Sequence, residues 1–184
     1  RRKNVGTRVE ALRPATGFTQ SIATVDELAQ FGATHVRVIR STEQVVADLA
    51  LAKEIGCTGG TRWLRISSLR MDAPPKQRPI CWTDVYVDAA FKDIGKLVRK
   101  SPETLISSLI ETRYGRAIAR IRQEIDAILM PESLAGDLQA ETNSPALKIT
   151  RRYFDASGEL LEISTSIHPA NRFTFAMEMS RTKD

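Results

Sequence analysis

Four polar residues near the end of the chain alternate in a way that could form one wall of a binding pocket. Glu162, Ser164, Ser166 and His168 are spaced two residues apart within a segment that has the pattern of a strand. Side chains two residues apart on a strand share a face, so the carboxylate, the two hydroxyls and the imidazole would lie side by side. Such a set could bind a small polar molecule. The alternative is an edge strand whose polar face is wetted by solvent.

A second group of possible ligand-binding residues lies on an earlier strand. Ser68 and Arg70 are also two residues apart, so we expect them on the same side of that strand. The planar guanidinium group can make two charge-assisted hydrogen bonds to a carboxylate or a phosphate. The alternative is a rim salt bridge of Arg70 with Asp72 or Asp84, which would contribute little energy.

Signatures of catalysis, metal binding and cofactor binding are weak. The chain has two histidines, His35 and His168, and no serine or cysteine lies in a nucleophile-elbow pattern. Cys57 and Cys81 belong to no CxxC or histidine-rich group, which argues against zinc and against a disulfide framework. Gly59-Gly60 lacks the lysine of a phosphate-binding loop and predicts a simple turn. We therefore predict no metal and no cofactor.

The composition is that of a soluble globular protein of one domain. A chain of 184 residues can bury a full core. No apolar run approaches the roughly 20 residues that cross a bilayer, so we expect no membrane association, and free cysteines favour a reducing cytoplasm. The net charge of +5 invites a nucleic-acid interpretation, but most of the arginines are scattered, which is typical of solvated surface.

These residues must be positioned by strands and helices that the pattern predicts. Period-two alternation and β-branched residues predict strands at Thr34 to Ser41, Thr61 to Met71, Ile80 to Val87, Ala119 to Ala127, Ala146 to Phe154, Glu159 to His168 and Arg172 to Ser180. Capping residues and apolar steps of three and four predict helices at Thr24 to Gly32, Thr42 to Ile55, Ser101 to Tyr114 and after Pro131. Short connections, such as Asp155 to Gly158, favour an α+β fold with a mostly antiparallel sheet of six to seven strands and helices packed around it.

Several segments taken together resemble the UTRA domain, the effector-binding half of GntR-type bacterial transcription regulators of the HutC subfamily. The resemblance covers about Thr24 to Arg181, and the segments that carry it are Leu64 to Arg70, Pro79 to Tyr86, Leu105 to Gly115, Pro145 to Arg152 and Asp155 to Ser164. It implies a chorismate-lyase-like fold in which an antiparallel sheet and its helices enclose a ligand cavity.

The resemblance also implies which residues would bind the ligand. The basic pair of the family's first hairpin corresponds to Ser68 and Arg70, and the acidic residue of the returning strand corresponds to Thr83. The glutamate of the terminal hairpin corresponds to Glu162, and the tyrosine before the corner corresponds to His168. The anion-binding loop and helix start correspond to Ser101 to Thr104. Ser164 joins this set because it shares a strand face with Glu162 and His168. Arg70 and Glu162 match the family pattern. The departures at Ser68, Thr83 and His168 favour a small organic acid over a phosphosugar as effector.

The first residues fit the same family. Val5 to Val9 is similar to the last strand of a winged helix-turn-helix, so residues 1–17 are expected to be the end of the wing and a linker, and residues 18–184 the UTRA domain. The resemblance then implies an upstream DNA-binding domain absent from this chain, a homodimer, and a repressor whose operator affinity is altered by the effector.

Two other functions stay open on the sequence alone. The same resemblance reaches chorismate lyase, in which Arg70 and Glu162 would serve as anion clamp and acid. The basic charge also allows a domain that binds nucleic acid through its own surface, although the aromatic residues do not interleave with arginines as in stacking platforms.

Overall fold

Six antiparallel strands form one sheet in a computed structural model that describes residues 18–21, 36–72 and 78–176. The strands within the described residues are β1 (Phe18–Ser21), β2 (Val36–Val46), β3 (Arg62–Met71), β4 (Pro79–Asp88), β5 (Arg120–Leu129), β6 (Pro145–Phe154), β7 (Leu160–Pro169) and β8 (Phe173–Ala176). The helices in the same ranges are α1 (Leu49–Ile55), α2 (Ile94–Lys100), α3 (Ile106–Tyr114) and α4 (Glu132–Ala135).

The order of the strands places the terminal hairpin in the middle of the sheet. The order is β2-β3-β4-β7-β6-β5, and every neighbouring pair is antiparallel. This confirms the predicted α+β fold. Strand β7, which carries Glu162 to His168, is therefore a central strand and not the solvent-wetted edge strand that the sequence left open.

Both faces of the sheet are covered by helices. On one face Ile66, Val85 and Val87 pack against α2 and α3 through Ile94 and Ile110. On the other face one cluster holds α1 against β3, β4 and β7, and another holds α4 against β3 and β6. Because side chains alternate, Arg70, Thr83 and Glu162 lie on the same face as α2 and α3.

The prediction of a helix from Thr42 to Ile55 is wrong in its first part. Residues up to Val46 belong to β2 and pair with β3, and the helix begins only at Leu49, where the Asp48 side chain accepts a hydrogen bond from the Leu51 backbone N–H at 2.8 Å. The register of β2 shifts between Ile39 and Ser41, which interrupts the period-two pattern, and the long-range pairing overrides the local apolar spacing. The predicted end at Gly56 is confirmed, with φ +71°.

The helix predicted to open at Ser101 begins later. Helix α3 starts at Ile106, and Ser101 instead ends α2, where its backbone N–H donates to the Leu97 carbonyl at 2.9 Å. The sequence did not reveal α2. Gly95 brings this helix close to the sheet, because a Cβ there would lie 3.3 Å from the side chains of Leu64 and Thr42.

The last predicted strand is also placed differently. β8 covers Phe173–Ala176 and pairs in parallel with β1 in a separate two-stranded sheet, so it does not extend the antiparallel meander. The turn at Asp155 to Gly158 is confirmed, because the Asp155 carboxylate accepts from the backbone N–H groups of Ser157 and Glu159. The predictions for residues 1–17, for a helix from Thr24 to Gly32 and for residues 177–180 of the last strand lie outside the described residues. Within the described residues, no helix combines the length and the apolar character that crossing a bilayer requires.

Candidate functional site

A small, partly open cavity lies between the sheet and the start of α3. Its volume is about 50 Å³, and its walls come from β2, β3, β4, β6 and β7 together with Leu105, Ile106 and Ser107. We call this cavity the chamber. Most ligand pockets of proteins measure roughly 300–1,000 Å³, so the chamber has room for a single small polar group.

The register of the sheet explains why distant residues meet in the chamber. Arg37 pairs with Arg70 across β2 and β3, and Thr83 pairs with Ser166 across β4 and β7. Ser164 pairs with Arg151 across β7 and β6. Every second residue of these strands points to the same face, so the pairing brings polar side chains from five strands together.

Three arginines give the chamber its charge. Arg37, Arg70 and Arg151 line it, and each is only 6% exposed. Arg37 donates to the Thr104 carbonyl at 3.0 Å, and Arg151 donates to the Gln123 side chain at 2.7 Å. Burial, with the neighbouring charge of Arg70, lowers the pKa of Arg37 to about 10, and burial also lowers the pKa of Arg70. The fold thus holds positive charges in a place that disfavours them.

One carboxyl group faces these arginines. Glu162 is 4% exposed, and burial raises its pKa to about 8, against the opposing effect of the Arg37 charge. Its Oε2 atom is buried and has no hydrogen-bond partner among the described residues. A buried polar atom without a partner is rare in proteins and points to a missing ligand or water molecule.

The other titratable groups of the chamber are neutral. Burial, with the Arg151 charge, lowers the pKa of His168 to about 3, and its Nδ1 atom is buried without a partner in the described structure. The imidazole ring lies against Phe173, with ring centroids 4.1 Å apart. Burial raises the pKa of Tyr153 to about 12 and also raises that of the Cys81 thiol.

Five of the eight residues predicted from the sequence line the chamber. They are Arg70, Thr83, Glu162, Ser164 and His168. The Thr83 hydroxyl forms a hydrogen bond of 2.9 Å with the Ser166 hydroxyl, and the hydroxyls of Ser164 and Tyr153 share another. The predicted face of β7 is thus a wall of the chamber and is buried.

The other three predicted residues do not line the chamber. Ser68 is buried beside Thr83, and its hydroxyl donates to the Thr83 carbonyl at 3.5 Å. Ser101 caps the end of α2, and Thr104 contributes only through its carbonyl, which accepts from Arg37. Because the segment from 101 to 105 is a turn and not a helix start, the lining residues of α3 are Ile106 and Ser107.

The sequence interpretation missed two of the three arginines. Arg151 was noted only as part of the adjacent basic pair Arg151-Arg152 and was not assigned to the site, and Arg37 was not singled out within its predicted strand. A usable signal was present for Arg151, since it alternates with Ile149 and Tyr153, both buried, on a strand that the pattern had identified. A charged residue between two apolar residues of one strand face is a candidate buried charge.

The chemistry that the chamber supports is binding of an anion. Its three guanidinium groups can donate to oxygen atoms, and the carboxyl and imidazole groups offer further hydrogen bonds. No group of three or more His, Cys, Asp or Glu residues that could hold a metal ion occurs in the described parts of the chain.

An open groove adjoins the chamber at Arg37. Its volume is about 420 Å³, and its lining includes Arg37, Arg40, Arg99 and Pro102. Arg37 is the residue common to both linings. The groove is large enough for a part of a ligand that the chamber cannot contain.

Comparison with known proteins identifies relatives for both sequence and fold. The UTRA domain family matches residues 30–174. Three solved structures are similar to the chain. The effector domain of PhnF from Mycobacterium smegmatis is 20% identical with a TM-score of 0.68, covering 89% of this chain and 100% of that one. A GntR-family transcriptional regulator from Enterococcus faecalis is 18% identical with a TM-score of 0.65 and coverages of 78% and 99%. Another from Bacillus cereus is 16% identical with a TM-score of 0.68 and coverages of 80% and 99%. No curated protein matches significantly.

Proposed function

This chain belongs to the UTRA domain family, and from that premise we propose that it is the effector-binding domain of a GntR-type transcription regulator. The effector is a small anionic metabolite, either an organic acid or a phosphorylated compound, that binds in the chamber and alters operator affinity. The similar solved structures are GntR-family regulators, so the lyase alternative is not favoured.

The observation that carries this proposal is the burial of three arginines around one cavity. Burying charged groups in a fold is costly, and apolar residues of similar size would usually be more stable. Charges whose pKa values are shifted by burial inside a cleft are typical of functional sites. The lowered pKa values of Arg37 and Arg70 show that both charges are shielded from solvent, and this supports an anionic ligand that binds beside them.

The dimensions of the site define the shape of the ligand. A chamber of about 50 Å³ can accept a carboxylate or phosphoryl group, and the groove of about 420 Å³ beyond Arg37 can accept the remainder. The sequence interpretation identified one cation, Arg70, and favoured an organic acid as the effector. With three cations in place, a phosphorylated metabolite is an equally suitable ligand.

Arg37 also connects the chamber to the helices that cover it. Its hydrogen bond to the Thr104 carbonyl joins β2 to the segment between α2 and α3. An anion that attracts Arg37 into the chamber would weaken this bond and shift the segment. An effector changes operator affinity only if it binds the two arrangements with different affinity. We propose that a cytoplasmic homodimeric repressor of the HutC subfamily, with an upstream DNA-binding domain, transmits this shift.

The first test is a thermal-shift screen of this chain against organic acids and phosphorylated metabolites. A ligand at 100 times its Kd stabilises the native state by about 2.7 kcal/mol, which for a domain of this size raises the Tm by roughly 5–10 °C. The shift should be lost in Arg70→Met and kept in the control Arg122→Met, because Arg122 is exposed and lines neither the chamber nor the groove.

The second test measures regulation. The metabolite found in the screen is added to the full-length regulator, and operator affinity is followed by fluorescence anisotropy. We expect a change of roughly 5- to 150-fold, which corresponds to the usual coupling free energies. A metabolite that stabilises the chain through Arg70 but leaves operator affinity unchanged would contradict the regulatory role.

A further inference from the structure

We propose that Glu162 enters the binding event as a neutral carboxylic acid that donates a hydrogen bond to the anionic group of the ligand, so that anion binding is coupled to one proton. This inference rests on the proposed function, because it concerns the same chamber. In this scheme Glu162 selects ligands with an acceptor oxygen and makes their affinity depend on pH, and family membership implies neither property.

The position of Glu162 is the first support. The residue lies on the central strand β7, is 4% exposed and lines the chamber. Its Oε2 atom is buried without a hydrogen-bond partner among the described residues. The Arg37 charge acts to lower the pKa of Glu162, and the hydrogen bond that Arg37 makes goes to the Thr104 carbonyl. The carboxyl group therefore has a buried oxygen atom without a described partner on a residue that lines the chamber.

The charges around Glu162 are the second support. The titratable groups that line the chamber with Glu162 are Arg37, Arg70, Cys81, Arg151 and Tyr153 on other strands and His168 on β7 itself. From the segment between α2 and α3, the exposed Glu103 acts on Arg37. The pKa values of about 10 for Arg37, about 12 for Tyr153 and about 3 for His168 lie outside the range from pH 5 to 9. Arginine side chains stay charged in this range, and burial keeps the Cys81 thiol protonated.

Glu162 is thus the chamber group that changes its charge near neutral pH. Burial raises its pKa to about 8, so about nine in ten molecules carry the proton at pH 7. In that state the described residues of the chamber include three positive charges and no ionised carboxylate. An O–H donor to an anionic oxygen forms a short and strong hydrogen bond, whereas an ionised Glu162 would repel the same oxygen.

The consequence is a defined dependence of affinity on pH. If the bound chamber keeps the proton, affinity is constant below pH 7 and falls tenfold for each pH unit above 8. For a free-state pKa of about 8, the Kd at pH 9 is about tenfold higher than at pH 7. Ligands that present a positive group or only hydrogen-bond donors to Glu162 would show the opposite trend, so this residue selects acceptor oxygens.

The test uses sulfate as the probe, because sulfate does not change its own charge between pH 6 and 9. Its Kd for this chain is measured by isothermal titration calorimetry at pH 6, 7, 8 and 9 and constant ionic strength. We expect a tenfold weaker Kd at pH 9 than at pH 7 for the wild type. The ratio should be close to one for Glu162→Gln and should stay tenfold for the control Glu141→Gln, since Glu141 is exposed and outside the chamber.

A second measurement uses the wild-type chain alone, without a ligand and without a substituted variant. The side-chain carboxyl carbon of Glu162 is followed by NMR during a pH titration of the wild-type chain, with an inflection expected near pH 8. An inflection below pH 5, or a sulfate Kd with the same value at pH 7 and 9, overturns the proposal while the anion site itself stands. Absence of sulfate binding at every pH would instead overturn the anion-binding function, and this proposal with it.

Discussion

Replacing Arg37 by methionine should make the protein more stable while weakening its binding of anions. Arg37 is 6% exposed, and its pKa is lowered from 12.5 to about 10 by burial and by the charge of Arg70. A pKa difference of one unit corresponds to about 1.4 kcal/mol, so keeping Arg37 charged in the folded state costs about 3 kcal/mol. Methionine has a similar length and no charge, so it removes this cost.

The variant also loses one favourable contact. Arg37 donates to the Thr104 carbonyl at 3.0 Å, and a hydrogen bond of this kind contributes about 1 kcal/mol. The net expectation is a gain of about 2 kcal/mol, which would raise the Tm of a domain of this size by roughly 4–8 °C. Stability gained at the expense of binding is typical of residues that serve function.

Urea denaturation at pH 7 measures this difference, and Arg40→Met provides the control. Arg40 lies on the same strand with its side chain 47% exposed, and its ion pair with Asp137 spans 3.4 Å. Exposed ion pairs contribute 0–1 kcal/mol, so the control should change little. If Arg37→Met lowers the free energy of unfolding by more than 1 kcal/mol, Arg37 stabilises the fold, and the reasoning from its burial is refuted.

Three further substitutions test other parts of the account by urea denaturation. Neutral Glu162 contributes its full stability below pH 4.5, and this contribution is lost as the pH rises to about 8. Relative to Glu162→Gln, the wild type should therefore lose about 1.4 kcal/mol of its free energy of unfolding per pH unit from pH 5 to 8. If the free energy of unfolding of both proteins depends on pH in the same way, the carboxyl group is not buried in its neutral form. Gly56→Ala should lower the free energy of unfolding by about 2–3 kcal/mol, because φ is +71° and the new Cβ would lie 2.5 Å from the Arg152 guanidinium. The control Gly60→Ala has φ +82° but open space around the new Cβ, so it should cost about 1 kcal/mol. Equal costs would show that the guanidinium moves freely. Ile110→Ala should cost about 2–5 kcal/mol at a fully buried position, and Leu129→Ala, 63% exposed, less than about 1 kcal/mol; a small loss for Ile110 would contradict the packing of α3.

The local pattern of the terminal hairpin was sufficient to predict one wall of the chamber. Period-two alternation placed Glu162, Ser164 and His168 on one face, and the structure brings all three into the lining. The turn at Asp155 and the helix end at Gly56 were predictable for the same reason, because each depends on a few neighbouring residues. Such features are set by backbone geometry that a short segment determines.

Features that depend on pairing between distant segments were not predictable in this way. Arg37 reaches the chamber because β2 pairs with β3, and Arg151 because β6 lies beside β7. Neither residue has a local signal that gives its register. The same long-range pairing converts Thr42 to Val46 from a predicted helix into the end of β2. Burial of a charge is likewise a property of the assembled sheet, so the shifted pKa values followed only from the structure.

The central claim is that the three arginines of the chamber together bind one anion. A crystal of this chain soaked with selenate tests it directly, because the selenium atom is located by its anomalous scattering. The account predicts one strong peak within hydrogen-bond distance of the guanidinium groups of Arg37, Arg70 and Arg151. Selenate found only on exposed surface arginines such as Arg99 and Arg40, with none among these three groups, would contradict it.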